Sequence, residues 1–235
     1  AGIAVAKHGN RSITSKTGSA DVLSELGVNI EASVDVMQQS LEMAGICFCF
    51  APLFHPAMRH VGPVRRSIEV PTIFNLLGPL CNPARAPYQL LGVGKPALRT
   101  RLSAALALLE TKRAFVVCGE DGLDEITLEG TTLVTEVIDS TTQELNWCPT
   151  DFGMTSQSLA TMNVENPTES AACIMKILYG EQGSSRDIVI VNAAAAISLA
   201  RPHLSLQECA HQATEAIDSG AALKSLKQFG DITQS

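Results

Sequence analysis

Short apolar runs alternate with longer amphipathic ones along most of the chain. Ala1–Ala6 reads as a short strand, and Ile46–Ala51, Tyr88–Val93 and Ala114–Cys118 are apolar runs of strand length. Thr131–Val137 predicts a further strand and Gln143–Trp147 a weaker one. Helical spacing runs through Asn29–Ala44, with Val34, Met37, Leu41 and Met43 as its inward positions. Ala97–Leu109 predicts a strongly apolar helix, and Ala171–Leu178, Ile188–Leu199 and Leu206–Leu226 predict three more. Ile188–Leu199 is apolar all round, which predicts a buried helix. Pro52–Pro63 reads as a loop or a short helix around His55–Met58, and Thr72–Leu77 leads into the turn-rich Gly78–Pro83. Strands alternating with helices predict an α/β fold with a largely parallel central sheet flanked by helices.

Residues 7–27 break this rhythm. Lys7, Arg11 and Lys16 share thirteen residues with the hydroxyls of Ser12, Thr14, Ser15, Thr17 and Ser19. The helix predicted next, Ala20–Leu26, takes Ser19 as N-cap, Asp21 in its first turn and Gly27 as its stop. Free N–H groups and the positive end of a helix then lie beside the cations, which suits an anion and phosphate above all. A solvated basic turn would account for Ser19 and Gly27 but not for Lys7, Asn10, Arg11 and Ser15 together.

Composition narrows the classes. The chain has 235 residues, 46% of them hydrophobic and 17% charged, enough for one large buried core over 1–235. A net charge of −7 argues against nucleic acid as the main partner, and 4% aromatic content leaves no stacking platform for single strands. The seven cysteines, at 47, 49, 81, 118, 148, 173 and 209, read as free thiols in a reducing cytoplasm. Cys47 and Cys49 share one face of a strand, but no second ligand pair follows to make a zinc site. No membrane-spanning run or signal peptide is legible. The opening strand has no preceding element and no Met, so residues upstream are expected.

Three other segments carry candidate chemistry. Gly119–Thr127 follows a predicted strand, where open α/β sheets bind ligands, and its adjacent Asp124 and Glu125 can reach a hard cation. Mg²⁺ takes one or two carboxylates with waters and substrate phosphates, although a polar loop facing water is the plainer alternative. Arg59, Arg65 and Arg66 are candidates for gripping a carboxylate; the spacing of His55 and His60 favours capping or packing over metal. Gly92-Val93-Gly94-Lys95-Pro96-Ala97 is a partial dinucleotide fingerprint, read here as a plain strand-to-helix turn with Pro96 starting the helix. Neither a Walker A run nor a Gly-x-Ser-x-Gly elbow occurs.

The ordered motifs Lys7-His8-Gly9-Asn10-Arg11 with Gly18-Ser19-Ala20-Asp21, His55-Pro56-Ala57-Met58 with Val64-Arg65-Arg66, Thr72–Leu80 with Asn82-Pro83, and Asp121–Glu125 resemble the anthranilate phosphoribosyltransferase family. Asp151-Phe152-Gly153 and Asn192–Ala195 also match landmarks of that family. The resemblance spans nearly the whole chain. It implies the large α/β domain of the fold shared with nucleoside phosphorylases. It implies phosphoribosyl transfer from phosphoribosyl pyrophosphate to the amino group of anthranilate, in tryptophan biosynthesis. By motif match, Lys7, His8, Gly9, Asn10, Arg11, Ser12, Thr14 and Ser15 would line the phosphoribosyl pyrophosphate site, with Ser19 adding a hydroxyl. Asn10 and Arg65 would contact anthranilate, Arg65 near its carboxylate, and Lys7, Asn10 and Arg65 would carry the catalytic load. Asp124 and Glu125 would hold Mg²⁺ on the pyrophosphate.

Thr14 stands where the family has Ser and keeps the hydroxyl. The family's Gly-Thr-Gly-Gly-Asp loop, its Asn-x-Ser-Thr segment and most of a helical domain are expected upstream of Ala1. A cytoplasmic homodimer is expected of the full-length parent, with no nucleic-acid or membrane partner. The alternatives are a truncated, non-catalytic phosphoribosyl-binding module or a related nucleoside phosphorylase-like enzyme.

Overall fold

The structure, a computed structural model, describes residues 1–11, 17–58, 60–61, 72–109, 111–160 and 162–235. In chain order its elements are β1 (Val5–Gly9), α1 (Ser19–Glu25), α2 (Val34–Ala44), β2 (Ile46–Phe50), α3 (Ala51–Phe54), α4 (Phe74–Leu77), and a 3₁₀ turn Gly78–Leu80. There follow β3 (Tyr88–Gly92), α5 (Pro96–Leu108), β4 (Arg113–Gly119), β5 (Thr132–Ile138), β6 (Thr141–Trp147), and a 3₁₀ turn Pro149–Phe152. The chain ends with α6 (Pro167–Leu178), α7 (Ser184–Ala200), α8 (Leu206–Asp218) and α9 (Ala221–Gln234). Two compact units are formed, one from 2–86, 164–175 and 223–235, the other from Ala1, 87–163 and 176–222.

In the first unit β1 and β2 pair in parallel, Val5 opposite Ile46 through Gly9 opposite Phe50. Phe48, Phe50, Met37 and Phe229 are buried in one cluster around this pair. Both flanking helices are stopped by a glycine in the left-handed region. Gly27 (φ +85°) donates to the Ser24 carbonyl while Val28 donates to that of Leu23, the paired bonds of a Schellman end; Gly45 (φ +73°) ends α2. The N-cap of α1 is Gly18, and Ser19 is the first helical residue, making no capping bond. That corrects the expected cap by one position. The inward stripe of α2 also differs from expectation. Met37, Ser40 and Ala44 are buried, whereas Val34 and Met43 are each 56% exposed. Ser40 can take a core position because its hydroxyl donates to the Val36 carbonyl at 2.9 Å.

The second unit is a four-stranded sheet in the order β3-β4-β5-β6. β3 and β4 are parallel, while β4, β5 and β6 run antiparallel. The α/β class therefore holds, with β1–β2 and β3–β4 as its parallel pairs and residues 132–147 adding an antiparallel limb. Asp139 (φ +44°) and Ser140 (φ +71°) make the two-residue turn between β5 and β6, where positive φ at both positions matches strand twist. α5 packs on β4 and β5, and α7 packs on β3 and against α8. α7 is buried as its composition predicts, with Ile190, Val191, Ala194 and Ala195 inside. The expected single helix over 206–226 is two, broken at Gly220 (φ +75°). α8 begins with a reciprocal cap, Glu208 N–H donating to Ser205 Oγ and Ser205 N–H to Glu208 Oε2.

The C-terminal helix belongs to the first unit through hydrogen bonds as well as packing. Ser225 Oγ donates to the Ala44 carbonyl at 2.7 Å, and Thr233 Oγ1 accepts from Asn29 N–H at 3.1 Å. Phe229→Ala should therefore lower stability by about 3–5 kcal/mol, the usual cost of emptying a buried phenyl site. An unchanged urea midpoint for that variant would show that α9 is not part of this core.

Candidate functional site

The basic loop leaves the end of β1. Lys7 is exposed, and its neighbours are held by backbone-directed contacts. Asn82 Nδ2 donates to the Ala6 carbonyl at 2.9 Å. Gly9 is the residue the strand end needs, because a Cβ there would lie 2.9 Å from the Phe48 ring and 3.0 Å from Ser19 Oγ. Ser19 Oγ therefore lies close to the backbone of Gly9 at the end of β1. Asn10 Oδ1 accepts from Arg11 N–H at 2.8 Å. Arg11 pairs with Asp21 at 3.2 Å and Glu31 at 3.3 Å, and its guanidinium lies 5.8 Å from the Phe50 ring centre. Two carboxylates thus already balance the cation expected to face phosphate. Ser12, Thr14, Ser15 and Lys16, with Arg59, Arg65 and Arg66, lie outside the described residues.

His8 adds a contact that the sequence hides. Its Nδ1 lies 3.0 Å from the Gly78 carbonyl and its Nε2 3.1 Å from His55 Nε2. Burial lowers the pKa of His8; the Gly78 carbonyl opposes that shift and His55 reinforces it. His55 closes α3, its N–H donating to the Ala51 carbonyl, which agrees with a capping role. The ring partnership spans 47 residues, beyond any local periodicity.

The second region is the loop after β4. Asp124 and Glu125 are exposed there, and Asp121 is the internal brace. Asp121 Oδ1 accepts from Leu123 N–H at 3.0 Å and Oδ2 from Thr127 Oγ1 at 2.5 Å. Asn192 of α7 clamps the residue after the acidic pair. Its Oδ1 accepts from Ile126 N–H at 2.9 Å, and its Nδ2 donates to the carbonyls of Ile126 and Ile188, each at 3.0 Å. Gly92 supports the same loop from below, since a Cβ on it would overlap the carbonyl oxygen of Asp124. Gly94 is less confined, with a Cβ position 3.6 Å from the Gly122 carbonyl. The Gly-x-Gly turn is therefore a packing device between β3 and the acidic loop.

Among the described residues no group of three or more His, Cys, Asp or Glu side chains could hold a metal. The exposed Asp124–Glu125 pair fits a hard cation that takes one or two carboxylates and completes its shell from water and phosphate oxygens. It does not fit zinc, which wants a closed set of protein donors. Asn192, Gly92 and His55 were not legible as supports, because each acts on residues distant in sequence.

A basic segment follows one strand of a parallel pair and an acidic loop follows a strand of the other, and the comparisons place the chain among the α/β glycosyl transferases. Residues 1–223 match the glycosyl transferase family, a/b domain. An anthranilate phosphoribosyltransferase from Rhodopirellula baltica is 51% identical over 230 residues, covering 98% of this chain and 67% of that protein. One from Herpetosiphon aurantiacus is 48% identical, covering 97% and 68%. The crystal structure of the Thermus thermophilus anthranilate phosphoribosyltransferase superposes with a TM-score of 0.92 at 40% identity, covering all of this chain and 70% of that one. The Saccharomyces cerevisiae enzyme, in complex with phosphoribosyl pyrophosphate and Mg, gives 0.90 at 29% identity, covering 98% and 65%. The chain belongs to the anthranilate phosphoribosyltransferase family, glycosyltransferases of tryptophan biosynthesis. It spans about two thirds of the length of these relatives.

The packing of the acidic loop is testable by a matched pair. Gly92→Ala should destabilise by about 1–3 kcal/mol, because backbone must shift to admit the methyl group. Gly94→Ala meets only ordinary contact and should stay within about 0.5–1 kcal/mol of the parent. Equal urea midpoints for the two variants would refute the close approach.

Proposed function

We propose that this chain provides the machinery that moves a phosphoribosyl group from phosphoribosyl pyrophosphate to the amino nitrogen of anthranilate, releasing pyrophosphate. The observation that carries the reading is the ordered motif set, Lys7–Arg11 to Asp121–Glu125, within a chain 51% identical to such an enzyme. A nucleoside phosphorylase-like activity is not favoured, since the relatives share one name and the yeast complex holds phosphoribosyl pyrophosphate.

The bond between ribose C1 and the pyrophosphate oxygen breaks with its electron pair on the leaving group. Positive charge grows on the ribose ring and negative charge on the departing pyrophosphate. Lys7, exposed in the middle of β1, supplies a cation for phosphate oxygens. Ser12, Thr14, Ser15 and Ser19 contribute hydroxyls. Mg²⁺ held by Asp124 and Glu125, when bound, neutralises the leaving group. Asn10 and Arg65 orient anthranilate, Arg65 through a planar fork matched to its carboxylate. The aromatic amine is neutral at pH 7, so positioning rather than deprotonation supplies much of the rate. Arg11 reaches phosphate only by exchanging Asp21 and Glu31, so in this reading it braces the loop first.

We place the protein in the cytoplasm as a homodimer acting on small molecules, without a nucleic-acid or membrane partner. Free thiols at all seven cysteines support a reducing compartment, and the net charge of −7 argues against a nucleic-acid partner.

Mixing the protein with anthranilate, phosphoribosyl pyrophosphate and Mg²⁺ should yield N-(5-phosphoribosyl)anthranilate by chromatography. Turnover of a nucleobase instead would overturn the assignment. Binding of phosphoribosyl pyrophosphate and Mg²⁺ by calorimetry without turnover would mark a binding module. Asp124→Asn with Glu125→Gln should raise the Mg²⁺ needed for half-maximal rate about tenfold or more, the effect of losing about 1.4 kcal/mol of metal binding. An unaltered Mg²⁺ titration would remove both residues from the metal site. Arg65→Ala should raise the KM for anthranilate more than that for phosphoribosyl pyrophosphate, and equal rises would contradict its role.

A further inference from the structure

The His8–His55 pair carries more than a packing contact. A carbonyl oxygen only accepts, so the 3.0 Å contact between His8 Nδ1 and the Gly78 carbonyl places a proton on Nδ1. Neutral His8 then presents a bare lone pair at Nε2. The 3.1 Å contact from there to His55 Nε2 is a hydrogen bond only if His55 carries its proton on Nε2. Neutral His55 is left with a bare lone pair at Nδ1. One backbone carbonyl thus dictates the proton position two rings away. The rings meet edge to face, with centroids 5.0 Å apart and planes at 70°, so the pair is held by its nitrogens rather than by stacking. His55 Nδ1 makes no hydrogen bond among the described residues.

The order also fixes where an extra proton can go. A proton on His8 Nε2 would confront the His55 Nε2–H and break the pair. A proton on His55 Nδ1 leaves both existing bonds intact. The lowered pKa of His8, due first to burial and in part to His55, runs in the same direction.

We propose that His8 is a positioning residue that acts through His55, fixing His55 Nδ1 as a bare acceptor for an N–H group of the amine substrate. This rests on the transferase reading for the identity of the ligand but not for the state of the pair. Accepting one N–H of an aromatic amine orients its nitrogen lone pair without taking a proton from it. A neutral N–H donor is the ligand class such an atom selects; a carboxylate or phosphate oxygen would meet lone pair with lone pair.

The test is two-bond ¹⁵N–¹H correlation spectroscopy of the histidine-labelled full chain at pH 8, where five histidines give a resolvable spectrum. His8→Phe and His55→Phe assign the signals. The expected result is His8 in the Nδ1–H form and His55 in the Nε2–H form. His8→Gln, whose amide oxygen can still accept from His55, should keep His55 as Nε2–H, while His8→Leu should release it into a mixture of both forms. A His8 signal in the Nε2–H form, or a His55 tautomer indifferent to His8→Leu, would overturn the proposal. Anthranilate, added with phosphoribosyl pyrophosphate and Mg²⁺ to saturation judged by calorimetry on the same sample, should shift the His55 Nδ1 resonance. Saturation without that shift overturns the acceptor role. No calorimetric binding of anthranilate overturns the transferase reading, and the acceptor role with it, while the tautomers report on the pair alone.

Discussion

Backbone groups that the strand ladders and helices leave unpaired need partners, and in this chain several are supplied by side chains beside the candidate loops. Amides and carbonyls left outside regular pairing are costly to bury without a partner. Asn192 answers both groups of Ile126 with one side-chain amide. Asn82 answers the carbonyl of Ala6, and His8 that of Gly78. With those claims met from neighbouring elements, the acidic pair and the lysine are exposed on backbone whose neighbouring polar groups are hydrogen-bonded.

Close approach does the rest. Gly9 and Gly92 each stand where a Cβ would meet a ring or a carbonyl, so each lets a loop lie directly against its own strand. A glycine in a strand weakens it through lost packing and added chain entropy. At these two positions that cost is offset by the precision with which Ser19 is set beside Gly9, and Asp124 beside Gly92.

The parts legible in the sequence were those with a local cause. Apolar run length located β2, β3 and β4, and the all-apolar composition of residues 188–199 foretold the burial of α7. Gly27 marked the end of α1 because only a residue at ease with positive φ fits there. The failures share an opposite character. The stripe of α2 was misjudged because Ser40 satisfies its hydroxyl within its own helix, which hydropathy alone does not register. The β5–β6 turn uses Asp139-Ser140 rather than an Asn-Gly pair, so the antiparallel limb carried no strong turn signal. Gly220 was passed over because apolar spacing continues on both sides of it, yet its φ of +75° divides α8 from α9.

The candidate site divides along the same line. Residue types announced the chemistry, since cations with hydroxyls suit phosphate and adjacent carboxylates suit a hard cation. What types could not announce was charge balance and proton position. Arg11 reads as a phosphate ligand by kind, but its guanidinium is paired with Asp21 and Glu31. His8 reads as a residue lining the substrate site and His55 as a capping or packing residue, and neither reading shows the contact between their rings or the carbonyl at residue 78. In both cases the side chain's function follows from which neighbour has already taken its donor or acceptor, and that neighbour is chosen by the fold.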